Sequence, residues 1–149
     1  MIRTLHRTAT ASRLPALAAA LAIGAAPLLA TAAELEITVE NVKTADGALR
    51  VGLYASEADY RKTALRQLKA VPAPGRIAIR FADLPAGEYA IAMYHDRNDN
   101  GKLDSNLVGV PTEPYGFSGE SAAVGALGWD EARIRVAAEG AAISVRLSD

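Results

Sequence analysis

The chain has 149 residues, with 16 basic and 17 acidic side chains, a net charge of −1 and no cysteine. Without cysteine there is no disulfide, no thiol nucleophile and no thiolate metal site. The charges are interspersed without a basic run, which argues against nucleic acid or anionic lipid as partner.

Residues 1–32 read as a secretory signal peptide. Arg3, His6, Arg7 and Arg13 form a positive start, Leu14 to Leu29 an apolar core, and Ala30-Thr31-Ala32 a small-x-small cleavage site. Pro15, Gly24 and Pro27 interrupt that core, and it falls short of the ~20 apolar residues a membrane span needs. The expectation is a periplasmic or secreted protein with one domain over 33–149 and no transmembrane segment. Arg3, Arg7 and Arg13 leave with the signal, so the net charge of −1 becomes −4. His95 is then the only histidine, which excludes a zinc site built on several imidazoles.

Glu34 to Val42 alternates Leu35, Ile37 and Val39 with polar residues, the period of a half-buried strand. Asp46-Gly47 signals a turn, and Ala48 to Ala55 repeats the alternation with Leu49, Val51 and Leu53. The pair is expected to form an antiparallel hairpin. From Ser56 to Ala70 the period changes: Tyr60, Ala64, Leu65 and Leu68 fall at helical spacing, and Ser56 with Asp59 resembles a cap. This predicts a short helical crossover, stopped by Pro72 and Pro74. Its basic residues Arg61, Lys62 and Arg66 are read as a solvated face rather than an anion patch. A third strand runs from Arg76 to Leu84 and ends at the Pro85-Ala86-Gly87 turn. Glu88 to His95 carries apolar residues on both parities, as a central strand does. Val108 to Val110, Trp129 to Val136 and Ile143 to Leu147 read as further strands, with loop from Pro111 to Gly119. About six or seven short strands joined by turns predict an all-β, antiparallel Greek-key β-sandwich.

The stretch from His95 to Asn106 is dense in side-chain oxygens. Asp96, Asn98 and Asn100 stand at positions one, three and five of a calcium-loop pattern, Gly101 at the sharp bend and Asp104 at position nine. Lys102 would offer its main-chain carbonyl. Position twelve is Leu107 where a bidentate Glu is usual; Asn106 or Glu113 would have to close the shell. The expected cofactor is therefore a weakly held calcium ion. A second reading is a polar turn held by Asx hydrogen bonds without an ion. His95 shares parity with Tyr89, Ile91 and Met93; it reads either as a packed, hydrogen-bonded residue or as part of a binding site with Tyr115 and Phe117. Those two rings either stack on a sugar or grip a peptide, or else fold back to cap the sandwich. No Gly-x-Ser-x-Gly elbow supports Ser105 or Ser118 as a nucleophile.

Gly87-Glu88-Tyr89-Ala90-Ile91-Ala92, then His95-Asp96-x-Asn98-x-Asn100-Gly101-Lys102-Leu103-Asp104, then Gly109 to Ser118, resemble the DUF2141 family of small secreted bacterial proteins. The resemblance covers essentially all of 33–149. It implies a sandwich similar in outline to transthyretin-like and carboxypeptidase-regulatory-like domains, and a binding or accessory role; it transfers no catalytic residue. The expected function is a noncatalytic binding or accessory domain whose partner is an unknown ligand or envelope protein. The alternatives are a hydrolase centred on His95 and Asp96, and a cell-envelope structural protein assembling through sheet edges.

Overall fold

The computed structural model describes residues 32–119 and 127–148. The proposed signal peptide, apart from Ala32, lies outside the described residues, as does most of the segment from Glu120 to Gly128. Alternating apolar residues build strands β1 (Ala33–Val42), β2 (Ala48–Tyr54), β3 (Arg66–Ala70), β4 (Gly75–Leu84), β5 (Gly87–Asp96), β6 (Tyr115–Phe117), β7 (Arg133–Val136) and β8 (Ala141–Arg146), with one helical turn, α1 (Trp129–Ala132), before β7. The protein is all-β, in two sheets.

The first sheet has the order β4-β1-β8 and the second β3-β2-β5-β6, with β7 also on β5. Strand β1 runs antiparallel to β4 and parallel to β8. Its inward side chains Leu35, Ile37 and Val39 are fully buried. They meet Leu49, Val51, Leu53, Ile91 and Met93 of the second sheet in one core. Burial of apolar area on this scale is the main force holding two sheets together. Strand β5 is central, with β2 along one edge and β6 and β7 sharing the other. Its two-sided apolar pattern follows from that place.

Several expectations need correction. Strands β1 and β2 do not form a hairpin; they lie in different sheets. Period two fixes which side chains are buried, not which strand is the neighbour. The Asp46-Gly47 turn instead arches between sheets. Gly47 has φ +64°, and a Cβ there would lie 1.9 Å from the Asp96 carbonyl oxygen, so only glycine fits.

The crossover at 56–70 is not a helix either. Ser56 does cap a turn, accepting from the Asp59 amide at 3.3 Å, and the Lys62 and Thr63 amides donate to Asp59 O at 2.9 Å. Arg61 then turns left-handed at φ +58°. The chain leaves the turn to pair as β3 with β2. So short a helical nucleus does not hold against an available strand edge. Val108 to Val110 forms no strand, only a turn closed by a bridge between Ser105 and Pro111. The loop from Pro111 to Gly119 contains β6, and Trp129–Ala132 is helical where a strand was expected.

Candidate functional site

The site is built where β5 ends. His95 and Asp96 are consecutive on a strand, so their side chains leave on opposite faces. His95 is fully buried, and its Nε2 bonds the Asp46 carbonyl at 2.8 Å. It nails the arch between sheets to the end of β5, while its Nδ1 has no partner among the described residues. It is a packing residue, and it forms no pair with Asp96. Ser118 is also fully buried; its Oγ accepts from the Ile91 amide at 2.7 Å and donates to the Ala132 carbonyl. That hydroxyl joins β5 to the chain around β6 and α1.

Asp96 is fully buried as well. Its carboxylate accepts from Arg50 Nε at 2.5 Å, the Asn100 amide at 3.0 Å and the Gly101 amide at 2.8 Å. Burial, the largest single influence, pushes its pKa up. The Arg50 bond, the Gly101 and Asn100 amides and the guanidinium charge together outweigh that, so it titrates below the ordinary aspartate value. Asp99, at φ +55°, bonds Arg50 Nη2 and Lys69 Nζ, each at 2.8 Å. The Lys69 hydrogen bond is the main reason its pKa is lowered.

The remaining loop residues converge. Asn98 Nδ2 donates to Asp104 at 2.6 Å, and Asn100 Nδ2 to both Asp104 oxygens at 3.1 and 3.0 Å. Asn98 Oδ1 accepts from the Asn100 amide and Asn100 Oδ1 from the Lys102 amide. The backbone of Lys102 thus meets the ring of oxygens through its N–H. Glu113, nearly fully buried, accepts from the Arg97 amide at 2.8 Å and the Asp104 amide at 3.0 Å. One carboxylate from the Pro/aromatic loop therefore clamps both ends of the 96–104 loop. Among the described residues no trio of His, Cys, Asp or Glu gathers as metal ligands. The loop's side-chain oxygens come from three acids, Asp96, Asp99 and Asp104, and two amides, Asn98 and Asn100, the hard donors calcium takes.

Beside the loop, the outer face of the second sheet holds an open groove of about 520 Å³, within the range of small-ligand sites. The registers arrange it in rows across the strands. Lys69, Arg50, Tyr94 and Tyr115 make one row, and Gln67, Gly52, Ala92 and Phe117 the next. Tyr54 stands in the row beyond, and Arg61 reaches over Phe117. Tyr115 and Phe117 are half-buried and meet edge to face at 5.7 Å between centroids. The groove and the loop share parts: Arg50 reaches Asp96 and Asp99, and the Tyr94 hydroxyl donates to the Gly101 carbonyl at 3.0 Å. Burial pushes the Tyr54 and Tyr94 phenols up, and that of the adjoining Tyr60 to about 12, so all remain hydroxyl donors at neutral pH.

Sequence reasoning singled out Tyr115 and Phe117 and read Arg61 as part of a solvated face, but did not single out Arg50, Tyr54, Lys69 and Tyr94, which line the same groove. Part of the signal was present. Arg50, Gly52 and Tyr54 are the outward parity of β2, as Ala92 and Tyr94 are of β5. Arg61 was hidden by the helical reading of its segment.

No curated protein and no solved structure matches the chain. Among the described residues no helix is long and apolar enough to cross a membrane. The family model DUF2141, described as an uncharacterized protein conserved in bacteria, matches residues 37–144. That stretch runs from the middle of β1 into β8 and takes in the loop, the groove and both sheets, so the chain belongs to the DUF2141 family.

Proposed function

We propose that this chain is an exported, noncatalytic binding domain whose 96–104 loop takes calcium weakly and holds one rim of the groove. The observation that carries the reading is the meeting of Asn98, Asn100 and Asp104 within 3.1 Å, in a loop whose ends Glu113 clamps. A half-turn of either amide brings its oxygen beside the Asp104 carboxylate, and a divalent cation would favour that turn. Asp96 already serves Arg50, so calcium competes there with the protein's own cation. This competition and the lack of an acid at Leu107 both point to weak affinity. Export rests on the three-part pattern of residues 1–32. The hydrolase alternative gains nothing from a His95 and an Asp96 that face apart.

Thermal melting in excess calcium and in chelator tests the ion. At a hundredfold excess over Kd the stabilisation is about 2.7 kcal/mol, and Asp104→Ala abolishes it. Coincident melting curves in calcium and chelator would remove calcium from this reading.

A further inference from the structure

We infer that the groove on the second sheet is a subsite for an acidic saccharide, a short run of sugar rings bearing carboxylates. This rests on the reading of the chain as a binding domain, and it does not use the calcium loop.

The first argument is shape. The row Gln67, Gly52, Ala92, Phe117 crosses all four strands of the path β3-β2-β5-β6, a trough of roughly 14 Å at ordinary strand spacing. Its middle is kept low by Gly52 and Ala92, which are direct partners. A Cβ on Gly52 would lie 2.7 Å from Tyr54 Oη and 2.9 Å from the Tyr54 ring. The missing side chain thus leaves the space into which that ring lies down on the sheet. The Tyr54 ring, partly exposed and braced edge to face by Tyr60 at 5.4 Å, gives the groove an aromatic surface that the C–H faces of a sugar ring complement.

The second argument is charge. Among the described residues the lining includes Arg50, Arg61 and Lys69 and no carboxylate. Arg50 and Lys69 are partly answered by Asp96 and Asp99 behind the rim. Arg61 is different. Its guanidinium lies over the Phe117 ring, 5.7 Å from the centroid, and it has no ion-pair partner among the described residues. A guanidinium stacked on an aromatic ring keeps its edge free for a planar anion such as a carboxylate. Tyrosine hydroxyls along the walls add partners for ring hydroxyls. Arg50 and Lys69 stand along one flank of the trough and Arg61 lies over Phe117 at its end, so a chain lying in it would meet cations at more than one point. A nucleic acid strand fits less well, because the basic residues are interspersed without a run and the chain as a whole carries net charge −1.

The test is an amide-shift NMR titration of the 33–149 chain, run in chelator, with short oligomers of galacturonate, mannuronate and hyaluronan, and with a neutral galactose oligomer as control. Saturable shifts centred on Gly52, Ala92 and Phe117 are expected with at least one acidic oligomer. The neutral oligomer should bind about tenfold or more weakly, and Arg61→Gln should weaken the acidic one by a similar factor. Arg61 is exposed, so this substitution leaves the fold intact. No saturable shift with any acidic oligomer at millimolar concentration overturns the proposal, as does equal binding of the neutral oligomer or an unchanged affinity in Arg61→Gln. Because chelator is present throughout, failure here is separate from failure of the calcium reading, which the melting curves report.

Discussion

The two sheets turn opposite characters to solvent. On the first, Glu34, Glu36 and Glu40 of β1 face Arg76 and Arg80 of β4, and each arginine is answered: Arg76 by Glu40 at 3.1 Å, Arg80 by Glu36 at 3.1 Å and Glu34 at 3.6 Å. The rest of that face holds Thr38, Ala78 and Ser144, with Arg146 beside Glu40 at the end of β8. On the second sheet the outward positions hold Tyr54, Tyr94, Tyr115 and Phe117, with glycine and alanine between them and a cation left over. Both faces arise from the same period-two alternation, so polarity alone does not tell them apart. Balanced pairs of surface charges give a face little to offer a ligand. Large rings around small residues make a surface that other molecules can occupy.

The sharpest way to break this contrast is to remove the buried acid where the second face meets the loop. Asp96→Ala takes the acceptor from Arg50 Nε and the Gly101 amide, leaving Arg50 only Asp99 and the Asn100 amide only Asn98, and is expected to cost about 3 kcal/mol in urea unfolding. The same carboxylate fixes an acid limit. Its folded pKa is lowered, so the folded state binds this proton less readily than the unfolded chain does. The stabilisation is complete above the ordinary aspartate value of about 3.9 and disappears as pH falls through the folded value. Asp96→Asn should flatten that acid limb in urea midpoints followed down to pH 3. If the variant and the native chain lose stability in parallel, the carboxylate is not what braces the loop.

The legible parts of this molecule are those where local chemistry decides. Leu35, Ile37 and Val39 announce an inward face by period alone, and Tyr89, Ala90 and Ile91 announce a central strand. Asp96 to Asp104 announces a loop with converging oxygens because Asn, Asp and Gly bend the chain wherever they stand together. What could not be read depends on distant partners. Nothing between Val42 and Ala48 says that the chain crosses to another sheet; His95 and Gly47 settle that only once β5 is in place. Ser56 and Asp59 do start a helical turn, but the edge of β2 claims the chain from Arg66 onward. The groove was illegible for a related reason. It is assembled from four strands, and its rows exist only in the register between them.

Glu113 offers the next largest effect, because it joins the loop to the strand that carries Tyr115 and Phe117. Glu113→Ala leaves the Arg97 and Asp104 amides without their acceptor and should cost about 2 kcal/mol. Glu113→Gln keeps one oxygen acceptor and should recover part of it. Calcium affinity, measured by titration calorimetry, is expected to fall in Glu113→Ala because the loop ends are no longer held. An unchanged affinity would mean that the two loops work independently, and the second face would lose its link to the ion.

The smallest effect is expected on the opposite face, and its smallness is what makes it useful. Glu36 and Arg80 are direct cross-strand partners, with side chains 41 and 60 % exposed. Water screens such a pair, and holding two long side chains in one geometry costs entropy. A double-mutant cycle with Glu36→Ala and Arg80→Ala, read from urea midpoints, should give a coupling of less than about 0.5 kcal/mol. It should shrink further in high salt. Neither substitution should change the acidic-saccharide titration. Arg61→Gln should do the reverse, leaving the urea midpoint in place and weakening binding. A salt-resistant coupling well above ~1 kcal/mol on the first sheet would show that its charges are built and not merely solvated. The two faces would then have to be compared as two candidate surfaces.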